Sequence, residues 1–165
     1  MEWNFLNVTL FALIGVSLIL YLISTQRFEQ ARVLEVLDGD SIIVATERYK
    51  KGVKVRLGGI DAPEKGTRIF EKNEKFARQA SRFVEERLPP NTKIYLEYDH
   101  QKWDEYGRLL AYIYITKSGK SLNAEMIRNG FATFKAHRRN KKYEKLFERL
   151  ESQAKKYRLG LWQYH

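Results

Sequence analysis

Cysteine is absent from the 165-residue sequence. The chain therefore has no disulfide, no thiol nucleophile and no thiolate ligand for a metal ion. A chain without cysteine tolerates either side of a membrane, so redox chemistry does not select a compartment. Internal repeats and low-complexity tracts are also missing. The contents of 44% hydrophobic and 30% charged residues are typical of a globular domain.

Charge is nearly missing from the first 24 residues, in which Glu2 is the one charged side chain. Residues 5–23 form an uncharged apolar run that would be roughly 28 Å long as a helix, close to the hydrocarbon thickness of a bilayer. Trp3 and Tyr21 lie near its ends, where interfacial aromatic residues belong. The sequence predicts a transmembrane anchor at residues 1–24, followed by a linker.

A cleaved signal peptide is the alternative interpretation of this run. No Lys or Arg precedes it, and no small-x-small site follows Ile23, which favours a retained anchor. The sequence therefore predicts a single-pass membrane protein, in which a linker at residues 25–30 joins the anchor to the rest of the chain. Arg27 and Arg32 after the run favour a cytoplasmic C-terminal domain, but two residues leave the side of the membrane open.

The rest of the chain carries a large excess of positive charge, and the net charge is +10. Such a field favours polyanions, either nucleic acid or an anionic membrane surface. The alternative is a basic, soluble surface without a partner.

Hydrophobic periodicity predicts five strands and three helices after the linker. Five short strands in a basic, aromatic-rich chain favour a small closed barrel of the OB type, in the α+β class, whose open face commonly binds nucleic acid. The predicted strands are Arg32–Leu37, Ser41–Ala45, Val53–Ile60, Lys93–Tyr98 and Arg108–Thr116. The predicted helices are Ile69–Leu88, Leu122–Asn129 and a third from Tyr143 to Tyr157.

Acidic side chains occur at the ends of two of these strands, in the stretches LDGDSIIV and VRLGGIDAPE. If the second and third strands form a hairpin that turns at residues 50–51, Asp40 lies opposite Asp61. Two carboxylates that close repel each other unless a cation lies between them, and oxygen ligands suit Ca²⁺ or Mg²⁺ rather than zinc. Alternatively, Asp38 and Asp40 are turn residues and Asp61 precedes Ala-Pro for backbone reasons.

Four further side chains are candidates for phosphate chemistry. Glu64 is a candidate general base or water-positioning group, and Arg56 and Arg108 each offer a planar guanidinium to phosphate oxygens. Tyr106, in the turn DEYGR, is a candidate to hydrogen-bond a terminal phosphate or to stack on a base. The alternatives are a solvated glutamate, surface salt bridges and a packed turn tyrosine.

The stretches LDGDSIIV, VRLGGIDAPE and DEYGRLLAYIY, in this order and at these separations, resemble the staphylococcal nuclease (thermonuclease) family. The tail AKKYRLGLW resembles the end of that family's C-terminal helix. The resemblance covers roughly residues 31–162. It implies an SNase-like OB-fold barrel with three helices at residues 31–165, and Ca²⁺-dependent cleavage of DNA and RNA.

The resemblance also implies roles for individual residues. Asp40 and Asp61 match the calcium carboxylates, and Ala62 matches a carbonyl ligand. Glu64 matches the proposed general base, and Tyr106 matches the tyrosine near the terminal phosphate. Arg56 and Arg108 match the two phosphate-binding arginines.

Three departures from the family pattern are visible. Ser41 stands where the family often has threonine, and Glu105 stands where a basic residue can occur, which implies weaker binding of a terminal phosphate. The stretch FATFKAHRR replaces tyrosines that stack on a base, so we expect phosphate contacts and relaxed base preference instead. The side chains expected to make these contacts are Lys135, His137, Arg138 and Arg139.

The sequence thus predicts a membrane-anchored phosphodiesterase of the thermonuclease type, an endonuclease-like hydrolase that uses Ca²⁺, with Mg²⁺ left open. Its predicted partners are DNA or RNA and the membrane. One alternative is a non-catalytic nucleic-acid-binding module on the same barrel, which would not need the acidic and basic site residues together. Another is a membrane scaffold whose basic domain lies on anionic lipid.

Overall fold

The computed structural model describes residues 11–17, 28–63 and 71–164. Its strands are β1 (Phe28–Val36), β2 (Ser41–Thr46), β3 (Val53–Leu57), β4 (Ile60–Asp61), β5 (Lys93–Glu97), β6 (Leu109–Tyr114) and β7 (Thr133–Phe134). Its helices are α1 (11–17), α2 (Glu71–Arg87), α3 (Leu122–Arg128) and α4 (Glu144–Lys156), followed by a 3₁₀ helix at Gly160–Tyr164.

Five of the strands close into a barrel in the order β1-β2-β3-β6-β5. The β3–β6 pair is parallel and the other pairs are antiparallel. The prediction of a five-stranded barrel with helices is therefore confirmed, and the three helices predicted after the linker correspond to α2, α3 and α4. With α1, the described part of the chain contains four helices.

The barrel core follows from the alternation of side chains along each strand. Val33, Val44 and Val55 point inward from β1, β2 and β3 and are fully buried. Two helices cover the barrel with apolar faces, on which Val84 of α2 and Phe147 of α4 are buried. Burying each large aliphatic or aromatic side chain stabilises the fold by about 1.5–3 kcal/mol.

The β2–β3 hairpin exists, but its register differs from the predicted one. Ser41 pairs with Arg56, so Asp40 lies opposite Leu57, whose N–H donates to the Asp40 carbonyl at 2.8 Å. The predicted pairing of Asp40 with Asp61 across this hairpin is therefore wrong. The hairpin turns about residues 48–49 rather than 50–51. A two-glycine turn, Gly58–Gly59, then ends β3 after Leu57, so that Asp61 lies in the separate strand β4.

The predicted single-pass membrane location is wrong. Across the ranges 11–17, 28–63 and 71–164, no helix combines the length and the apolar character that a membrane crossing requires. The described part of α1 would cover about 10 Å, against about 30 Å for a hydrocarbon core. The other residues of the predicted span, 5–10 and 18–23, and linker residues 25–27 lie outside the described residues.

Helix α3 is fixed to the barrel by the fully buried side chain of Asn123. Its Oδ1 accepts the Ile113 N–H of β6 at 3.0 Å, and its Nδ2 donates to the carbonyls of Gly58 at 2.9 Å and Ala111 at 3.2 Å. Gly58 belongs to the two-glycine turn, so α3 supports the backbone that leads into Asp61. Ser121 caps the N-terminus of α3, and its side chain accepts the Ala124 N–H at 3.2 Å.

The C-terminal segment packs against the end of α3. Gly130 has φ of 69°, as expected for a glycine that ends a helix, and its carbonyl accepts the Leu161 N–H at 2.9 Å. A Cβ at Gly130 would lie 2.2 Å from the Leu159 carbonyl oxygen, so only glycine fits this crossing of two chain segments.

Candidate active site

One arginine joins the two predicted metal carboxylates. Arg56, near the end of β3, donates from Nη1 to Oδ1 of Asp40 and from Nη2 to Oδ1 of Asp61. Asp40 precedes β2 and Asp61 lies on β4, so three chain segments converge here. The two carboxylates meet as the sequence suggested, but through a shared guanidinium rather than through a hairpin pair.

Asp40 is the buried member of the carboxylate pair, with 2% of its surface exposed. Its Oδ2 accepts the Ala62 N–H at 2.8 Å, and its Oδ1 also accepts the Ser41 hydroxyl at 3.0 Å. Burial raises the pKa of Asp40 to about 6, although the Ala62 N–H and the Arg56 guanidinium act in the opposite direction. The Arg56 guanidinium therefore offsets part of the cost of burying the ionised form of this carboxyl.

Asp38 has a turn role, which was the alternative given for it. Its Oδ1 accepts the backbone N–H of Asp40 at 2.9 Å, a local bond that shapes the loop between β1 and β2. This bond positions Asp40 but leaves Asp38 outside the Arg56 contacts.

Asp61 is the accessible member of the pair, with 46% of its side chain exposed. Its Oδ1 also contacts Lys135 Nζ at 3.0 Å, which brings a predicted substrate-binding residue to the site. Arg138, the other predicted substrate-binding residue, is exposed on the same loop. His137 Nδ1 accepts the backbone N–H groups of Arg139 and Asn140, so it stabilises this loop.

The second arginine is held by a carboxylate that the sequence reasoning missed. Asp104 accepts Arg108 Nε at 2.7 Å through Oδ2, and its Oδ1 accepts the backbone N–H groups of Tyr106 at 3.0 Å and Arg108 at 2.8 Å. The available signal was an aspartate at the start of a turn with glycine at its fourth position. The Arg108 guanidinium lies 5.3 Å from the centre of the exposed Tyr106 ring.

Hydrogen bonds keep the Asp104 carboxyl group ionised. Burial acts to raise the pKa of Asp104, but the bonds from Arg108 and Tyr106 outweigh it and hold the pKa below its ordinary value of 3.8. Asp104 therefore remains ionised at neutral pH and orients the Arg108 guanidinium.

These groups face a common open space, which we call the active-site cleft. Its volume is about 500 Å³, and an adjoining cavity of about 360 Å³ extends it toward Gln101 and His137. Both arginines therefore approach the same space from separate segments. The side chains that line the first volume are Lys54, Arg56, Asp61, Tyr106, Arg108 and Lys135.

The donor set fits a hard divalent cation. In the described ranges no group of three His, Cys, Asp or Glu side chains is arranged around a metal position. A cation here would take the carboxylates of Asp40 and Asp61, the Ala62 carbonyl, and oxygens of water or substrate, a set that suits Ca²⁺ or Mg²⁺. The convergence of two carboxylates on one positive group is the observation that supports the fit. Glu64 lies outside the described residues.

Comparison with known proteins agrees with the resemblance seen in the sequence. A family model described as staphylococcal nuclease homologue matches residues 54–164. The thermonuclease of Staphylococcus hyicus is 35% identical over 131 residues, covering 79% of this chain and 74% of that protein. The thermonuclease of Staphylococcus intermedius is 33% identical over 137 residues, covering 83% and 78%.

A more distant relative covers nearly the whole chain. An uncharacterised protein of Methanocaldococcus jannaschii is 29% identical over a 182-residue alignment, covering 99% of this chain and 80% of that protein. The range matched by the family model includes Arg56, Asp61 and Arg108. From the family model and the two thermonucleases, the chain belongs to the staphylococcal nuclease homologue family.

Proposed function

We propose that the chain is a Ca²⁺-dependent nuclease whose domain, residues 31–165, hydrolyses phosphodiester bonds of DNA or RNA in the active-site cleft. The observation that carries this proposal is the pair of arginines, Arg56 and Arg108, that reach one cleft beside two converging carboxylates. Two relatives of the chain that are named thermonucleases support it.

The proposed roles follow from the charge that hydrolysis places on the phosphate. Arg56 and Arg108 donate to the phosphate oxygens and stabilise the charge that develops there. Glu64 accepts the proton of the attacking water, and Tyr106 donates to a terminal phosphate. Asp40, Asp61 and the Ala62 carbonyl would hold the cation, which would supply Lewis-acid polarisation of the phosphate when bound.

The contacts of Arg56 leave part of its guanidinium available to a substrate. One N–H of Nη1 goes to Asp40 and one N–H of Nη2 goes to Asp61, and these bonds use two of the five N–H groups of the guanidinium. Asp61 is the more accessible of the two and retains the Lys135 ammonium at 3.0 Å. We infer that Arg56 keeps its bond to buried Asp40 and donates to the substrate phosphate from its remaining N–H groups.

The test is cleavage of single-stranded DNA by the full chain, with Ca²⁺ and with chelator. We expect Ca²⁺-dependent cutting that falls about 100- to 1,000-fold in Arg56→Gln, because one donor to the developing charge is lost. Glu64→Gln tests the proposed base in the same assay. Lys54→Gln is the matched control, since it removes a cation of the same strand and cleft that pairs with no carboxylate within residues 28–63 and 71–164.

Two outcomes would contradict the proposal. An equal loss of activity in Lys54→Gln and Arg56→Gln would show that only overall charge matters. Tight, salt-sensitive DNA binding without any cutting would identify a non-catalytic binding module. Circular dichroism and thermal unfolding of each variant establish that the fold is intact.

A further inference from the structure

A second cleft lies beside the active-site cleft and takes no part in the chemistry described above. Its volume is about 650 Å³. It lies between the loop that follows β5 and the segment of residues 135–142, which we call the basic loop. The residues that line it are Tyr98, Asp99, His100, Arg139, Lys141 and Lys142.

The two clefts are lined by the same two chain segments. Gln101 and His137 line the extension of the active-site cleft, and His100 and Arg139, one and two positions away along the chain, line the second cleft. The second cleft therefore lies next to the active-site cleft along both segments.

Two hydrogen bonds between the Asn140 side chain and the Gln101 backbone join the two segments. Asn140, which is buried, accepts the Gln101 N–H at 2.7 Å through Oδ1 and donates from Nδ2 to the Gln101 carbonyl at 2.8 Å. The Lys142 N–H donates to Asp99 Oδ2 at 2.9 Å. The basic loop is therefore fixed in place before any ligand arrives, which lowers the entropy lost on binding.

The exposed charge of the second cleft is positive. Arg139 and Lys141 are exposed, and neither forms an ion pair with another residue in the described part of the chain. Lys142 pairs with Glu97 at 2.7 Å. The one carboxylate of the lining, Asp99, has only 7% of its side chain exposed, and its oxygens accept bonds from the chain itself.

We propose that the second cleft is an extended binding site for the phosphates of a single-stranded polynucleotide, contacted by Arg139 and Lys141. This inference rests on the proposed function, since it extends the path of the same substrate. Phosphate contacts by flexible cations read no base sequence, so the site adds affinity and length dependence rather than sequence preference. Sites of about 4–16 nucleotides are usual for one OB fold, which leaves room for such an extension.

The experiment measures binding of labelled single-stranded DNA to the full chain in chelator, by fluorescence anisotropy, so that no cutting occurs. Oligonucleotides of about 4 and about 16 nucleotides bracket the range of OB-fold sites. In the Arg139→Gln/Lys141→Gln variant we expect binding of the longer one to weaken about tenfold or more. The slope of log Kd against log salt should fall by about 1.4, or 0.7 for each lost phosphate contact.

The matched control is Lys120→Gln/Arg128→Gln, which removes two exposed cations outside both clefts. It should leave the affinity for both lengths nearly unchanged. An equal loss in this control, or equal weakening of the short and long oligonucleotides by the Arg139 and Lys141 changes, would overturn the extended site. Thermal unfolding of both double variants shows whether the fold is preserved.

The extended site and the proposed nuclease activity can fail separately. Cutting in Ca²⁺ without the length-dependent effect of the Arg139 and Lys141 changes would retain the nuclease and reject the extended site. A length-dependent effect on binding without any cutting in Ca²⁺ would retain the extended site and reject the nuclease.

Discussion

At the scale of single residues, both site arginines are oriented by carboxylates. Arg56 is fixed by buried Asp40 and by Asp61, and Arg108 by Asp104. A guanidinium held in this way presents its remaining N–H groups in a defined direction, and little side-chain entropy is then lost when a phosphate binds. The cost of this arrangement is a carboxylate near an anionic substrate.

Asp104→Asn should lower kcat by up to about 100-fold with little effect on the fold, because Arg108 loses its fixed direction. Asp104 is a positioning residue, so substrate affinity should change less than the rate. Glu105→Gln is the matched control, since it removes one negative charge from the adjacent position. Steady-state kinetics on one DNA substrate and thermal unfolding of each variant check this prediction.

A comparable change in Asp104→Asn and Glu105→Gln would contradict the positioning role. So would a variant whose KM rises while its kcat is preserved, because that pattern indicates lost binding rather than lost orientation. The sequence could not single out Asp104, since its importance depends on a side-chain bond to Arg108 that no periodicity reports.

At the scale of elements, the site depends on how α3 supports the two-glycine turn between β3 and β4. Asn123 supplies three hydrogen bonds from a fully buried position, and one of them holds the Gly58 carbonyl. This turn determines where Asp61 lies relative to Arg56. Helix α3 therefore contributes to the site without donating a side chain to the cleft.

Asn123→Ala should lower the free energy of unfolding by about 3 kcal/mol, because one buried N–H and two buried carbonyls lose a partner. Asn129→Ala is the matched control. Its amide makes one bond to the Glu125 carbonyl at a partly exposed helix end, so we expect a loss below about 1 kcal/mol. Urea denaturation measures both changes in the free energy of unfolding. Equal changes would show that the buried Asn123 bonds stabilise the fold no more than the Asn129 bond does.

The hairpin illustrates where element-level prediction succeeds and fails. The strands β2 and β3 were predicted within a few residues, because apolar alternation is a local property of the sequence. The predicted register was wrong, because it depends on which residues form the turn, and the hairpin turns about residues 48–49 rather than 50–51. Asp40 and Asp61 met nonetheless, since both lie at the end of the barrel from which Arg56 projects.

At the scale of the whole molecule, a buried carboxylate joins the barrel to α4. Glu97 of β5 is fully buried and accepts hydrogen bonds from Tyr114 at 2.9 Å, Tyr143 at 2.6 Å and Lys142 at 2.7 Å. Lys142 is the last residue of the basic loop, so this network also anchors one end of the second cleft. Hydrogen bonding of a buried carboxylate by several partners offsets the cost of its desolvation.

Three tyrosines of this region should ionise late. Burial is the largest cause that raises the pKa of Tyr98, Tyr112 and Tyr114 above the ordinary value of 10.0, and the hydrogen bonds and negative charges of neighbouring side chains add to it. The unfolded chain releases these protons near pH 10 while the folded chain retains them. Their contribution to stability is therefore complete below pH 10 and is lost as the pH rises above it.

In a pH titration followed by tyrosinate absorbance, we expect the accessible tyrosines to ionise first, while the protein is still folded. Tyr98, Tyr112 and Tyr114 should ionise only as the protein unfolds. Tyr98→Phe should reduce the late amplitude by one tyrosine. Ionisation of all ten tyrosines in one step near pH 10, with the fold intact by circular dichroism, would contradict the prediction.

The sequence by itself determined the barrel, its helices, the family and the residue types of the candidate site. These features depend on local periodicity and on short motifs, which a single sequence displays directly. The N-terminal run shows the limit of such reasoning, because apolar length alone predicted an anchor that the described helices do not provide.

Only the tertiary structure decided which charged and polar side chains contact each other. Arg56 and Asp40 are 16 positions apart, and Asn140 and Gln101 are 39 apart, yet each pair is in hydrogen-bond contact. Such contacts depend on strand register and on the angles of the turns, where a change of one residue redirects every side chain that follows. The bridge between the two carboxylates, the support of Arg108 and the second cleft therefore follow from the folded chain rather than from its motifs.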